Sequence, residues 1–139
     1  MKRITSVLIL LSALVFFSCE KSEKEDTSDI YGKWEATELM SIESVGYPKD
    51  KGFNPLIEFK NDGTHLIKLD RNSCFGDFTL RSIKSISISA SGCTEMCCDS
   101  QFSGKFIQML PQVKTFEIEG SNLKLNIPGW GWIELVAVK

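Results

Sequence analysis

Residues 114–127 read KTFEIEGSNLKLNI, and this stretch decides the fold. Phe116 and Ile118 share one face of the first half, while Leu123, Leu125 and Ile127 alternate with Lys124 and Asn126 in the second. Alternation with a period of two is the pattern of a half-buried strand. Gly120-Ser121 between the runs supplies a tight turn, so the stretch predicts a β-hairpin.

The same pattern extends in both directions. Residues 32–40 predict a first strand with Trp34 and Ala36 on one face. Residues 56–60 and 64–70 flank Asn61-Asp62-Gly63, a second tight turn. Residues 75–80 and 83–89 follow, the latter rich in the β-branched Ile83, Ile86 and Ile88. After Pro128-Gly129, residues 131–138 close the chain with apolar side chains on both faces. Trp130, Trp132, Val136 and Val138 are read on one face, and Ile133, Leu135 and Ala137 on the other. Both tryptophans are therefore expected in the core. One stretch breaks the pattern: over residues 99–110, Phe102, Phe106, Met109 and Leu110 fall on one helical stripe. Asp99 or Ser100 can cap its start and Pro111 ends it. Met109 and the phenylalanines are expected as core. The fold class expected is mainly β (α+β), a compact curled-sheet or barrel-like domain of about eight strands with one helix packed across it.

Ahead of this domain stand two segments of different character. Lys2 and Arg3 precede an apolar run ending at Phe16-Phe17-Ser18-Cys19, the layout of a signal peptide over residues 1–18. The run is short of the roughly 20 apolar residues of a spanning helix. Cys19 after a small residue resembles a bacterial lipobox, with Phe16 where Leu is usual, and is expected to carry the lipid. Residues 20–29, EKSEKEDTSD, hold no apolar side chain, so 19–29 is read as a lipidated cysteine and acidic flexible tether, and 30–139 as the folded domain. The acidic tether resembles the export signals of surface lipoproteins in the Bacteroidota; a plain solubilising spacer is the alternative reading.

Loss of Lys2 and Arg3 with the leader takes the 16 basic residues to 14 against 18 acidic. A mildly acidic domain argues against nucleic acid, which demands a clustered basic face. Cys74, Cys93, Cys97 and Cys98 remain, an even set that reads as disulfides in an oxidising compartment. Four cysteines allow three pairings. The one joining Cys97 to Cys98 is disfavoured because neighbouring Cα atoms lie about 3.8 Å apart, below the usual disulfide span. Cys74–Cys97 with Cys93–Cys98, or Cys74–Cys98 with Cys93–Cys97, stay open.

The order of these pieces resembles the META domain, of the lipoprotein-associated HslJ type. The residues that carry the resemblance are Gly32-Lys33-Trp34, Leu56 to Phe59 with Asn61-Asp62-Gly63-Thr64, Asn72 to Phe78, and Thr94-Glu95-Met96-Cys97. Phe106 to Leu110, Val113 to Ile118, Gly120 and Leu123 to Leu125 continue it. The resemblance implies a non-enzymatic outer-membrane lipoprotein with a binding or accessory role in envelope integrity or stress, facing the periplasm or the cell surface. Gly32-x-Trp34 is also the opening signature of lipocalins, whose helix follows the eighth strand instead of lying between the fifth and sixth as expected here.

No catalytic residue is assigned. The single histidine, His65, has no nucleophile elbow near it and is read as an ordinary surface residue. No cofactor or metal is expected. The alternative functions are a lipocalin-like small-ligand binder and a thiolate protein handling Zn or Cu through Cys74, Cys93, Cys97 and Cys98. Partners expected are the membrane, through the lipid on Cys19, and an envelope protein or a small apolar or sugar ligand. Ligand-contacting residues are unassigned; Trp130, Trp132, Tyr47, Phe53 and the long loop over residues 41–55 are the stretches considered.

Overall fold

A computed structural model describes residues 30–42 and 53–139. The expected leader, Cys19, the tether and most of the 41–55 loop, Tyr47 included, lie outside the described residues. Nine strands and one helix follow in order: β1 (Gly32–Ser41), β2 (Leu56–Phe59), β3 (Thr64–Lys68), β4 (Ser73–Ser82), β5 (Ser85–Ile88), β6 (Gly92–Cys93), α1 (Gln101–Met109), β7 (Thr115–Glu119), β8 (Asn122–Ile127) and β9 (Gly131–Ala137). All pairings are antiparallel, and β3–β4 closes the sheet into a ring. Around the ring the order is β1-β2-β3-β4-β5-β7-β8-β9, each strand beside its neighbour in sequence, with β6 added alongside β4.

The turns follow from local chemistry. Asp62 Oδ1 accepts from Thr64 N at 2.9 Å and Thr64 Oγ1 at 2.6 Å, and Gly63 takes φ +83°, closing β2 on β3. Pro128 and Gly129, the latter at φ +76°, close β8 on β9, and Trp130 N donates to Ile127 O at 3.1 Å. Pairing of β1 with β9 shifts between Ala36 and Glu38, so one extra residue enters β1 and Leu39 turns inward beside Ala36.

Side chains fill the ring. Alternate positions supply Trp34, Ala36 and Leu39 from β1, Ile57 and Phe59 from β2, Ile67 from β3, and Phe78 from β4. Ile86 and Ile88, Phe116, Leu123, Leu125 and Ile127, then Ile133 and Leu135 complete it from the remaining ring strands. An eight-stranded ring is about the size that side chains alone can fill. Helix α1 adds Phe102, Phe106 and Met109, with Leu110 just beyond its end. Ser100 caps the helix, its hydroxyl accepting from Ser103 N, and Pro111 falls in a short 3-10 turn that stops it.

Three expectations change. The ninth strand, β6, is two residues long and carries no alternation to read. β9 is buried on one face only: Gly131, Ile133 and Leu135 point in, while Trp132, Glu134 and Val136 are half-buried outside. Trp132 is therefore not core, and Trp130 is half-buried at the core's edge. Val138 lies beyond the strand and is exposed. The two-face reading fails because apolar outer residues here pack laterally along a curved wall. The third change concerns His65, which is 1 % exposed on the inner face of β3, next to Ile67.

Candidate functional site

At one end of the ring, the β3–β4 turn, strand β6 and the start of α1 converge. Register places Cys74 of β4 directly opposite Cys93 of β6, with Cα atoms 4.0 Å apart, and the two sulfurs are bonded. Cys97 and Cys98 are bonded to each other. This is the combination disfavoured above on Cα spacing, so both open pairings are corrected. The physical reason is β6: once Gly92 and Cys93 add to the edge of β4, Cys93 has Cys74 as its cross-strand neighbour and is taken from Cys97 and Cys98. The four-thiolate set of the metal alternative is divided in the same way. Among the described residues no group of three or more His, Cys, Asp or Glu side chains is placed to hold a metal ion.

Asn72 organises this corner. It is 7 % exposed, and its amide uses both functions twice. Oδ1 accepts from Thr94 Oγ1 and from Met96 N, each at 2.8 Å; Nδ2 donates to Met96 O at 2.7 Å and to Asp99 Oδ2 at 2.6 Å. Asp99 Oδ1 accepts in turn from Arg71 N at 2.8 Å and Asn72 N at 3.2 Å. Thr94 N donates to Ser73 O at 3.0 Å, extending the β4–β6 ladder by one rung. Beside it Asp70 Oδ2 accepts from Ser100 N at 3.3 Å, Ser100 Oγ at 2.9 Å and Ser103 Oγ, tying the helix start to the turn. Burial pushes the Asp70 carboxyl up, but the hydrogen bonds from Ser103 and Ser100 outweigh it and hold it below the ordinary carboxylate value.

The segment from Thr94 to Ser100 is thus clamped at both ends, yet its middle faces water. Met96 is 59 % exposed, and among the described residues Cys97 and Cys98 beside it are exposed as well. The arrangement presents one thioether and one vicinal sulfur pair on a held loop. Asp70, Asn72 and Asp99 are the residues that sequence reasoning left without a site role. For Asp70 and Asn72 the signal was the polar run Asp70-Arg71-Asn72-Ser73 at the junction of two expected strands.

The other candidates lie elsewhere. His65 lies beside the break between β5 and β6, where Ser89 still holds β4: Ser89 N donates to Asp77 O and Ser89 Oγ accepts from Asp77 N, each at 2.9 Å. His65 Nε2 lies 2.8 Å from Ser91 Oγ, and its Nδ1 is buried with no partner. Burial lowers the imidazole below its usual value, more than the Asp77 carbonyl and carboxylate raise it. On the outer wall Trp132 Nε1 donates to Glu134 Oε1 at 2.9 Å, and Lys124 Nζ lies 4.4 Å above its ring. The indole face is covered by that ammonium, which counts against stacking on a sugar. Near it an open cleft of about 350 Å³ is lined by Thr37, Glu117, Glu119, Asn122, Lys124 and Glu134. Phe53 is half-buried at the edge of the described residues.

A closed, filled antiparallel barrel with one capping helix and a cross-strand bridge defines the class of this domain. The META domain family matches residues 28–130, and the chain belongs to that family. No curated protein matches it. Two solved structures share the fold. An NMR structure of a protein from Burkholderia xenovorans has a TM-score of 0.66 at 14 % identity over 81 % of this chain and 86 % of that one. The crystal structure of a DUF4847 family protein from Bacteroides vulgatus has a TM-score of 0.59 at 16 % identity, covering 79 % of this chain and 94 % of that one.

Proposed function

We propose that this protein is a non-enzymatic outer-membrane lipoprotein, anchored through Cys19 and residues 20–29, whose META domain does accessory work in envelope integrity or stress by binding through its outer surface. The observation that carries this reading is the filled ring. Inner positions of every ring strand hold buried apolar side chains, and α1 seals them with Phe102, Phe106 and Met109. A filled barrel favours contact through the rim and wall over the carriage of a ligand inside, and so weighs against the lipocalin-like alternative.

His65, the chain's one histidine, is 1 % exposed and is among the residues lining an open cleft of about 390 Å³ with Thr64, Gly76, Asp77 and Ser89. The partner is an envelope protein or a small apolar or sugar ligand, with the membrane reached by the lipid. A strain lacking the chain tests this. We expect it to lose resistance to detergent and to bulky antibiotics, with recovery on returning the wild-type protein and none on returning Cys19→Ala. An unchanged barrier, or full recovery with the unanchored variant, would contradict the reading.

A further inference from the structure

The two disulfides do different physical work. Cys74–Cys93 joins two strands through cysteines 19 residues apart in sequence; Cys74 is 0 % exposed, while Cys93 is exposed. Closing a loop of that length restricts the unfolded chain, which is how a disulfide stabilises. Cys97–Cys98 closes no loop, since its members are neighbours. It ties no two elements together, and both residues are exposed. The loop that carries it is already held without it, because Asn72 grips Met96 through both backbone groups and Asp99 grips the β3–β4 turn. A bond that adds nothing to the scaffold, faces solvent and rides on a fixed support is placed for chemistry.

We propose that Cys97 and Cys98 form a thiol–disulfide exchange site that reacts reversibly with a dithiol, while Cys74–Cys93 stays closed. The step balances. A thiolate of the dithiol attacks one sulfur of the pair, forming a mixed disulfide and releasing the other cysteine as a thiol. The second thiol of the partner then attacks its own sulfur in that mixed disulfide. Both cysteines end reduced and the partner ends as a disulfide, with two electrons and two protons transferred to the pair. Exposure of both residues admits the attacking thiolate, and the Asn72–Asp99 clamp keeps the loop presented in both redox states. This goes beyond the accessory role proposed above and does not depend on the lipid anchor.

The test uses the full chain, purified in detergent from an exporting host. One arm adds dithiothreitol below the level that unfolds the protein; a second adds a reduced thioredoxin-type protein dithiol. Free thiols are then alkylated and mapped by peptide mass spectrometry, and thermal unfolding is followed in parallel. We expect two alkyl groups, both on Cys97 and Cys98, with Cys74–Cys93 intact and the unfolding midpoint unchanged. Reaction in both arms assigns the site to protein dithiols, and reaction with dithiothreitol alone assigns it to small ones. A pair recovered already reduced supports the proposal if oxidised glutathione closes it, and overturns it if not. Alkylation that appears only with unfolding, that reaches Cys74 or Cys93 first, or a map linking Cys97 or Cys98 to the β4–β6 cysteines overturns it. The Cys97→Ser/Cys98→Ser chain should fold with an unchanged midpoint and take no alkyl group in either arm.

Discussion

The imidazole of His65 lies across Gly76, its partner on β4, so closely that a Cβ at residue 76 would stand 2.8 Å from His65 Cε1 and 2.9 Å from Ser89 Oγ. The glycine is the space in which the ring lies. Replacing it should therefore displace the buried imidazole and the Ser89 hydroxyl at once. We expect Gly76→Ala to cost about 1–3 kcal/mol, the usual range for overpacking a filled site, read from urea unfolding. A midpoint within error of wild type would show that the ring has room to move.

The same ring sets an acid limit on stability. Burial lowers the His65 pKa in the folded state below the unfolded value near 6.5, despite Asp77 close by. The unfolded chain then binds more protons, so stability rises with pH across that window. It is complete above about pH 6.5 and falls as pH drops toward the folded value. Asp70, also lowered, adds a second loss only where carboxylates protonate. Urea midpoints from pH 8 to 5 should slope downward, and His65→Gln should flatten that slope while leaving the more acidic limb. An equal slope in the variant would place the titration elsewhere.

Asn72 is the strongest single point of the cysteine corner. Asn72→Ala removes four side-chain hydrogen bonds and leaves Met96 N and O without their partner. Loss should be about 1–3 kcal/mol, as for buried polar groups left unpaired. Amide exchange at Met96 should quicken far more than at Leu125, in the centre of β8. Uniform quickening would mean that Asn72 stabilises the whole barrel and does not hold the loop.

The β4–β6 bridge should be needed for stability. Cys74→Ser/Cys93→Ser is expected to lose about 3 kcal/mol, from a closed loop of 19 residues. The thermal midpoint measures it directly, and an unshifted midpoint would contradict the scaffold role given to this bridge.

Legibility from sequence followed physical range. Strands with period-two alternation, such as 122–127, were readable to the residue, since burial of one face dictates the pattern. Helix α1 was readable from its stripe and from Ser100 and Pro111. The curled sheet followed from hairpin after hairpin, though the pairing of β1 with β9, from opposite ends of the domain, leaves no local mark. β6 was not readable, because two residues carry no period, and with it the pairing of Cys74 and Cys93 was lost. His65 was misplaced for a related reason. A polar residue at an inward position is accommodated only by Gly76 and Ser91, which lie 11 and 26 residues away along the chain. The site corner was half visible: its cysteines stood out, but Asn72 and Asp99 meet only in three dimensions.

The most direct test of the central claim, a lipid-anchored barrel carrying two disulfides, is the intact mass of the full-length gene product from an exporting bacterial host, alkylated without reductant. The account predicts a chain beginning at Cys19, heavier by a diacylglyceryl group and further acyl mass, lighter by four hydrogens, and free of alkyl groups. A chain that begins elsewhere and carries no lipid mass would contradict it.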